Sequence, residues 1–593
     1  MISGACTLNS RGGLKAAGKT GLEFSGEKQG FFEDRETKSR AAYSGEIYNY
    51  PELRLELEKA GCGFSSALES ELVLRAYQRW GPGCQSKFNG EWSFAVWDAE
   101  KKSLFCSRDR FGLRPFYYFF DGKTFAFASK LKALAAFPFV KKEPNKRAVF
   151  DYLVSNRPNL PEETFFKDIK QLGPGCCLSV SPAGLVKNKY YSPSYNPELG
   201  EFDKKDLKKR SSEFLALLKS SLEARLRPPY PLGSTLSGGM DSSTIVCLAE
   251  GLLGGSGAGR GKLKLFSILW EKEARYIKDV SGRVGFRSCR IKPAEAAGAS
   301  WEEIRKVALS FERPLNQTTF FGGLALLKKA AGEGVKVILD GGGGDELLAG
   351  YPEKYFSVYL GQVIRGGDLA RFAREFRVLY ADRLGDFGVG KKIGPEFYKT
   401  FLRTQTGAPG LSAVFPEKTL NGEFFRDCSR RAGREPAGLQ LNLQEMLYRD
   451  TLKLGCEYNP RASVTYRRPF LDHRLVEYVF SLPACYKLHG GWTKFLLREA
   501  MNGILPKEVC WRKVKVGGTA PISVWKDFLG RNREKMKAVL GGPVFHSAAF
   551  LDQEVVLANF DALFDAAVSP ETTDISALWR FVNLELWLGE NMK

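Results

Sequence analysis

At 593 residues the chain exceeds what one hydrophobic core supports, so two to four domains are expected, and a hydrophobic content of 44% with 13% aromatic residues fits ordered globular structure. Lys and Arg total 88 against 67 Asp and Glu, a net charge of +21, but the charge is dispersed and clusters such as Lys208-Lys209-Arg210 and Arg430-Arg431 have acids nearby, so a solvated basic surface is expected rather than a nucleic-acid site. No stretch approaches the roughly 18 to 20 apolar residues that span a membrane, and no charged-then-apolar signal peptide opens the chain, which implies no membrane partner and a cytoplasmic location.

The 12 cysteines form no C-x-x-C pair, and Cys176-Cys177 are adjacent in a predicted strand, so buried reduced thiols are expected. The three histidines, His473, His489 and His546, lack metal-ligand spacing, which disfavours zinc chemistry and a Ser-His-Asp triad.

In chain order, a composition change at Tyr190 to Tyr195, followed by a polar run through Lys209, divides the sequence into residues 1–194 and 195–593. A strand-like run from Pro231 to Leu236 then meets a helix-like run from Ser242 to Leu253, with Ser237-Gly238-Gly239-Met240-Asp241-Ser242-Ser243 at the junction. Glycines let a backbone approach an anion, and small hydroxyls at a helix start add donors where the helix dipole favours negative charge. Asp241 would repel a phosphate unless a divalent cation lay between them, so this junction predicts ATP phosphates with Mg²⁺. It lacks the Lys of G-x-x-x-x-G-K-[ST] and has instead the S-G-G-x-D-S pattern of enzymes that split ATP between its α and β phosphates. The later run from Gly254 to Lys262 has Ser256 where a Walker loop needs its first glycine, and Leu263 follows Lys262 in place of Ser or Thr, so it reads as a flexible connection.

Val335 to Leu339 reads as a short buried strand leading into Asp340-Gly341-Gly342-Gly343-Gly344-Asp345-Glu346. In an open parallel sheet both glycine-rich turns open at the carboxyl edge, where ligands bind at the switch in strand order, and Asp345 becomes a second carboxylate for the metal.

These motifs, in this order, resemble the asparagine synthetase family of glutamine-dependent amide-forming enzymes. The resemblance extends to Ser44-Gly45-Glu46-Ile47-Tyr48-Asn49-Tyr50, Asn89-Gly90-Glu91-Trp92, Arg108-Asp109-Arg110-Phe111-Gly112-Leu113-Arg114, Pro469-Phe470-Leu471-Asp472-His473 and Thr493-Lys494-Phe495-Leu496-Leu497-Arg498. It implies an N-terminal Ntn-hydrolase-like αββα sandwich over residues 1–194, and over 195–593 an α/β ATP-pyrophosphatase (PP-loop) domain with a parallel sheet and a helical extension. It implies an ATP and pyrophosphate site of Leu236, Ser237, Gly238, Gly239, Asp241, Ser242, Ser243, Ser267, Asp340 and Gly341, with Mg²⁺ on Asp241 and Asp345. Lys494 corresponds to the family Lys placed over the reacting intermediate, where an ammonium offsets negative charge building on phosphate and oxyanion. The implied reaction converts a carboxylate, aspartate above all, to an acyl-adenylate that an amine captures; a homodimer and a separate glutaminase are further expected partners.

Departures from the family pattern shape the remaining expectations. Ile2 follows Met1 where the family places its nucleophilic cysteine, and Cys6 nearby would carry no free α-amine. Ser44 replaces an oxyanion-donor Asn, and Glu69 stands near the Asp that holds the glutamine amine, so Ser44, Gly45, Glu46 and Glu69 read as a degenerate glutamine site in a domain expected to lack glutaminase chemistry and to leave ammonia as donor. Gly342 takes the place of a Glu linked to deprotonation of the amine, leaving Glu346 and Asp340 as replacements, and the segment from Cys456 to Tyr466 has no clean match. The competing functions are a β-lactam-synthetase-like or lasso-cyclase-like amide ligase, which uses a different base such as a Tyr–Glu pair, a catalytically silent ATP-binding regulatory protein, and a tRNA-modifying pyrophosphatase.

Overall fold

The computed structural model describes residues 2–9, 13–16, 25–26, 30–155, 162–227, 230–254, 263–314, 320–378, 421, 443–453, 464–512, 521–569 and 576–592. Among the described residues twelve strands precede residue 194: β1 (Ile2–Asn9), β2 (Gly13–Ala16), β3 (Ser25–Gly26), β4 (Phe31–Glu33), β5 (Arg40–Ile47), β6 (Gly90–Asp98), β7 (Ser103–Arg108), β8 (Tyr117–Phe120), β9 (Thr124–Ala128), β10 (Ile169–Gln171), β11 (Cys176–Ser181) and β12 (Gly184–Lys189). They pair into two antiparallel sheets, β10-β8-β9-β1-β2 with β3 beside β1, and β12-β11-β7-β6-β5-β4.

The period-2 alternation of β6 assigns its two faces. Trp92, Phe94 and Val96 pack with Leu53, Leu57 and Leu72 of the helices Tyr50–Lys59 and Glu69–Trp80, whereas Ala95 joins Ile2, Cys6, Phe125 and Phe127 between the sheets. This is the expected sandwich. Cys176 and Cys177 lie in β11 as expected, both buried.

The second half is built on β13 (Leu232–Thr235), β14 (Leu263–Ile268), β15 (Arg287–Ile291), β16 (Val337–Leu339) and β17 (Thr465–Arg467), all parallel, in the order β15-β14-β13-β16-β17. The chain steps outward from β13 to β15, then returns to the other side of β13 for β16. The order therefore reverses between β13 and β16, and a crevice opens at their carboxyl ends. The helix after β13 spans Met240–Leu252 and so begins before the predicted Ser242, which moves Asp241 from the loop into the first helical turn. Among the described residues no helix is long and apolar enough to cross a membrane.

The two halves share a core. Ala126 and Ala128 of β9 and Phe119 of β8 belong to one buried cluster with Ile268 and Ile291 of the parallel sheet and with Trp525, Trp579 and Trp587 of the C-terminal helices Ile522–Arg531 and Ser576–Asn591. A polar contact also joins motifs from both halves. Asp472 is 1% exposed and accepts from Asn89 Nδ2 at 3.0 Å, across 383 residues, and from Arg225 Nη1 at 3.2 Å. Burial opposes the Asp472 charge, but the Arg474 and Arg225 guanidiniums and Asn89 outweigh it and hold the carboxyl far below the ordinary range.

Removing one member of a buried ion pair typically costs about 3–5 kcal/mol, because the other charge is left uncompensated. Asp472→Ala should accordingly lower the denaturant midpoint substantially, and an unchanged midpoint would show that Arg225 finds another partner. Since the folded-state pKa is depressed, the Asp472 contribution is present above the ordinary carboxylate pKa of about 4 and fades as pH falls below it. The gap between wild type and variant should therefore narrow in acid.

Candidate active site

Asp241, in the first turn after β13, and Asp345, in the turn after β16, meet on a single ammonium. Lys494 Nζ contacts Asp241 Oδ2 and lies 2.6 Å from Asp345 Oδ1, with the Lys494 side chain 6% exposed. Burial alone would lower the Lys494 pKa, but the two carboxylates more than compensate and raise it above the ordinary value. The lysine therefore stays charged at neutral pH, acting as a cation and not as a base.

The local backbone is shaped around this contact. Lys494 is not inside its helix but caps the start of Phe495–Met501 in the left-handed region, at φ +52°, a conformation that costs a non-glycine residue about 1–2 kcal/mol. Its N–H donates to the Leu348 carbonyl at 3.1 Å, which ties it to the Asp345 turn. Gly350 lets the lysine pass: a Cβ there would lie 2.0 Å from Asp345 Oδ1 and 2.3 Å from Lys494 Cε. Gly341 performs the same service between the turns, since its Cβ would fall 2.6 Å from Asp241 Cβ and 2.9 Å from the Ser242 nitrogen.

In the first turn Ser237 and Ser242 bind each other through their hydroxyls at 3.0 Å, and Ser242 Oγ accepts from the Ser237 N–H at 3.2 Å. Gly239 N–H donates to Ser237 Oγ at 3.3 Å. Leu236 is buried where its N–H meets the Phe266 carbonyl at 2.9 Å, and Ser267, 3% exposed, lies near the carboxyl end of β14. Ser243 is buried in the first turn of the helix. The predicted nucleotide residues thus collect at one sheet edge.

Glu346 follows Asp345 and is 8% exposed. Burial, reinforced by the adjacent Asp345 charge, pushes its carboxyl up to about 7, and Tyr351 Oη donates to Glu346 Oε1 at 2.9 Å. Asp340 turns back on its own loop, where Oδ1 accepts from the Gly342 N–H at 2.7 Å and lies 3.8 Å from Arg468 Nε. A Cβ at Gly342 would stand 2.8 Å from Asp340 Oδ1 and 3.2 Å from Arg468 Nε, so the space a longer side chain would use is filled. Burial raises the Asp340 pKa against the pull of Arg468.

The residues read as a degenerate glutamine site are placed differently. Glu46 forms a two-point ion pair with Arg467 of β17, at 2.6 and 3.0 Å, and is thereby a bridge between the halves. Glu69 accepts from the Ile47 N–H at 2.7 Å, and burial raises its carboxyl to about 7. Ser44 faces Ser93 across the β5–β6 pair, with Gly45 beside it opposite Trp92. Cys6 is fully buried between the sheets and burial pushes its thiol up to about 12, in keeping with the expectation that it is a poor substitute for the family nucleophile. Residues 255–262 and 456–463, covering most of the discounted phosphate-loop lookalike and of the segment without a clean match, lie outside the described residues.

Sequence reasoning did not single out Glu273 and Arg512, which pair beneath the first turn at 2.7 and 2.8 Å. Nothing distinguishes Glu273 from the neighbouring Glu271 in a string of letters; burial does, at 1% exposure against an exposed neighbour. Nor could sequence separate Arg467, which faces Glu46, from Arg468, which faces Asp340.

Asp241 and Asp345 suit a divalent cation. Both present hard anionic oxygens toward one point, now served by an ammonium, and Mg²⁺ is commonly held by one or two carboxylates with substrate phosphates and water completing the shell. No cluster of three or more His, Cys, Asp and Glu among the described residues could hold a metal unaided, so the remaining ligands would have to be phosphate oxygens and water.

Residues 213–589 match the family described as asparagine synthase, and residues 22–191 match the glutamine amidotransferase domain. Asparagine synthetase [glutamine-hydrolyzing] 3 of Bacillus subtilis (strain 168) is 29% identical over 491 residues, covering 79% of this chain and 74% of the relative. A putative asparagine synthetase 2 of Methanocaldococcus jannaschii is 33% identical over 320 residues, 52% of this chain and 58% of its own length. Amidase chyE of Penicillium rubens is 24% identical over 570 residues, 88% of this chain and 82% of the relative. With an amidotransferase sandwich ahead of a parallel-sheet domain whose match covers most of the chain, this protein belongs to the asparagine synthase family and is a carbon–nitrogen ligase.

Proposed function

We propose that the chain uses ATP to activate a carboxylate, aspartate foremost, releasing pyrophosphate, and then joins the acyl group to an amine with release of AMP, free ammonia serving as donor. The observation that carries this reading is the convergence of Asp241, Asp345 and Lys494 at the switch in strand order. A carboxylate oxygen bonds to the α-phosphorus as the α–β bridging bond breaks. The amine nitrogen then bonds to the acyl carbon, its proton passes to a base and the adenylate oxygen leaves as AMP. The backbone and hydroxyl donors of residues 237–243 bind the departing pyrophosphate, and Lys494 offsets charge on phosphate and oxyanion. A divalent cation on Asp241 and Asp345 would supply further neutralisation of the phosphates.

Glu346, poised near neutrality, is the proposed base. Its hydrogen bond to Tyr351 also supports a second reading, a cyclase-like or other amide ligase acting on a different acid, because such enzymes use a Tyr–Glu pair. The extended match to a fungal protein named as an amidase is compatible with altered substrate use.

Pyrophosphate release with ATP, Mg²⁺ and aspartate, with ammonia or glutamine supplied as nitrogen donor, separates the readings. Asparagine formed with ammonia supports the first; release only with another acid supports the second, and no release with any acid sinks both. Lys494→Met should reduce release about 10²–10³-fold, the size of loss typical for one preorganised charge-stabilising donor; retained release would remove Lys494 from the chemistry.

Amide formation should rise with pH through about 7 as Glu346 ionises, and Glu346→Gln should flatten that limb while losing about 10²–10⁴-fold in rate, the usual contribution of a general base. An unaltered pH profile would transfer the role to Asp340. Stability should move the opposite way. The folded-state pKa of Glu346 is raised, so its favourable contribution is complete below the ordinary carboxylate pKa and is lost as pH rises through about 7. Thermal unfolding should accordingly find Glu346→Gln gaining on wild type as pH rises from about 4.5 to about 7, with no further gain above that.

A further inference from the structure

We infer that Glu273 and Arg512 are positioning residues that fix the Gly238–Gly239 peptide in its phosphate-facing orientation, an inference that rests on the nucleotide reading of residues 237–243. Arg512 binds Glu273 through two parallel contacts, Nη1 to Oε2 at 2.7 Å and Nη2 to Oε1 at 2.8 Å, with side chains 8% and 1% exposed. The same Nη1 donates to the Gly238 carbonyl at 3.3 Å, and the guanidinium carbon lies 3.9 Å from the centre of the Tyr276 ring. Gly238 itself is at φ +75°, where a Cβ would meet Tyr276 Cβ at 3.1 Å and Glu273 Oε2 at 3.2 Å. The loop is thus pressed against the Glu273–Tyr276 turn with its carbonyl held.

A buried ion pair is a poor means of stabilising a fold, since apolar side chains of equal volume usually serve as well. This one does something they could not, because it grips a backbone carbonyl. The C=O and N–H of a trans peptide point in opposite directions. With Gly238 O turned to Arg512, the Gly239 N–H is turned away, and it meets Ser237 Oγ at 3.3 Å. Were the peptide to flip, a carbonyl dipole would replace an N–H donor in front of the phosphates. Glu273 cancels the Arg512 charge, so the pair acts through geometry and not as a cation for the ligand.

Calorimetric titration of the full chain with pyrophosphate in Mg²⁺, and separately with AMP, tests this. Glu273→Gln retains the shape of the side chain, and Arg512→Gln removes the fork. Both should weaken pyrophosphate binding at least tenfold while AMP affinity stays within about twofold, and Arg512→Lys should restore part of the loss. If Arg512→Gln fails to fold, Glu273→Gln carries the measurement alone. Unchanged pyrophosphate affinity in Glu273→Gln, or equal weakening of both ligands, would overturn the positioning role. Wild-type protein that binds neither ligand would overturn the nucleotide reading first, and the positioning role with it.

Discussion

Two carboxylates delivered to the ends of neighbouring strands repel each other strongly in a partly dry crevice unless a cation stands between them. Lys494 is that cation, and much of the surrounding geometry follows from it. Its left-handed backbone, the missing side chain at Gly350 and the hydrogen bond from its N–H to the Leu348 carbonyl all place one ammonium between two turns that lie far from it in sequence, Asp241 being 253 residues away. Asp345 pairs with the lysine, whereas burial, reinforced by the adjacent Asp345 charge, raises the Glu346 carboxyl to about 7. Adjacent carboxyls thereby acquire different chemical character.

The junction of the halves is organised by side chains from motifs of both. Arg467 ends β17 and Arg468 follows it in extended conformation, yet one reaches Glu46 of the sandwich and the other approaches Asp340 in the turn after β16. Successive residues of a strand point to opposite faces, so the pleat alone produces this division. Arg467 also donates to the Arg225 carbonyl at 2.6 Å, while Arg225 serves Asp472 and stacks on Tyr48 at 4.1 Å. This short chain of contacts links the sandwich to the parallel-sheet half.

Much of this was legible in the sequence, for definite reasons. Glycine-rich turns after short apolar runs mark strand ends, and the S-G-G-x-D-S and D-G-G-G-G-D-E segments alone place Asp241 and Asp345 at one sheet edge. What escaped was whatever depends on partners far along the chain. Glu46 reads as part of a ligand pocket until Arg467 arrives from 421 residues away. The start of the helix at Met240 was missed because Gly239 caps it without the usual side-chain acceptor. The filling of the space at Gly342 by Asp340 and Arg468 is likewise a tertiary fact with no local signature.

The core that links β8 and β9 to the helix Ser576–Asn591 imposes an order on biogenesis. Arg580 Nη1 donates to the Leu153 carbonyl at 2.7 Å across 427 residues, and Phe165 and Phe166 rest on Trp587. During synthesis the outer face of the first sheet emerges long before the helix that covers it, at translation speeds that leave it bare for tens of seconds. The nascent sandwich therefore presents a sticky aromatic surface for most of the time the ribosome is engaged, and chains interrupted ahead of that helix carry the same surface permanently, as natural clients for chaperones.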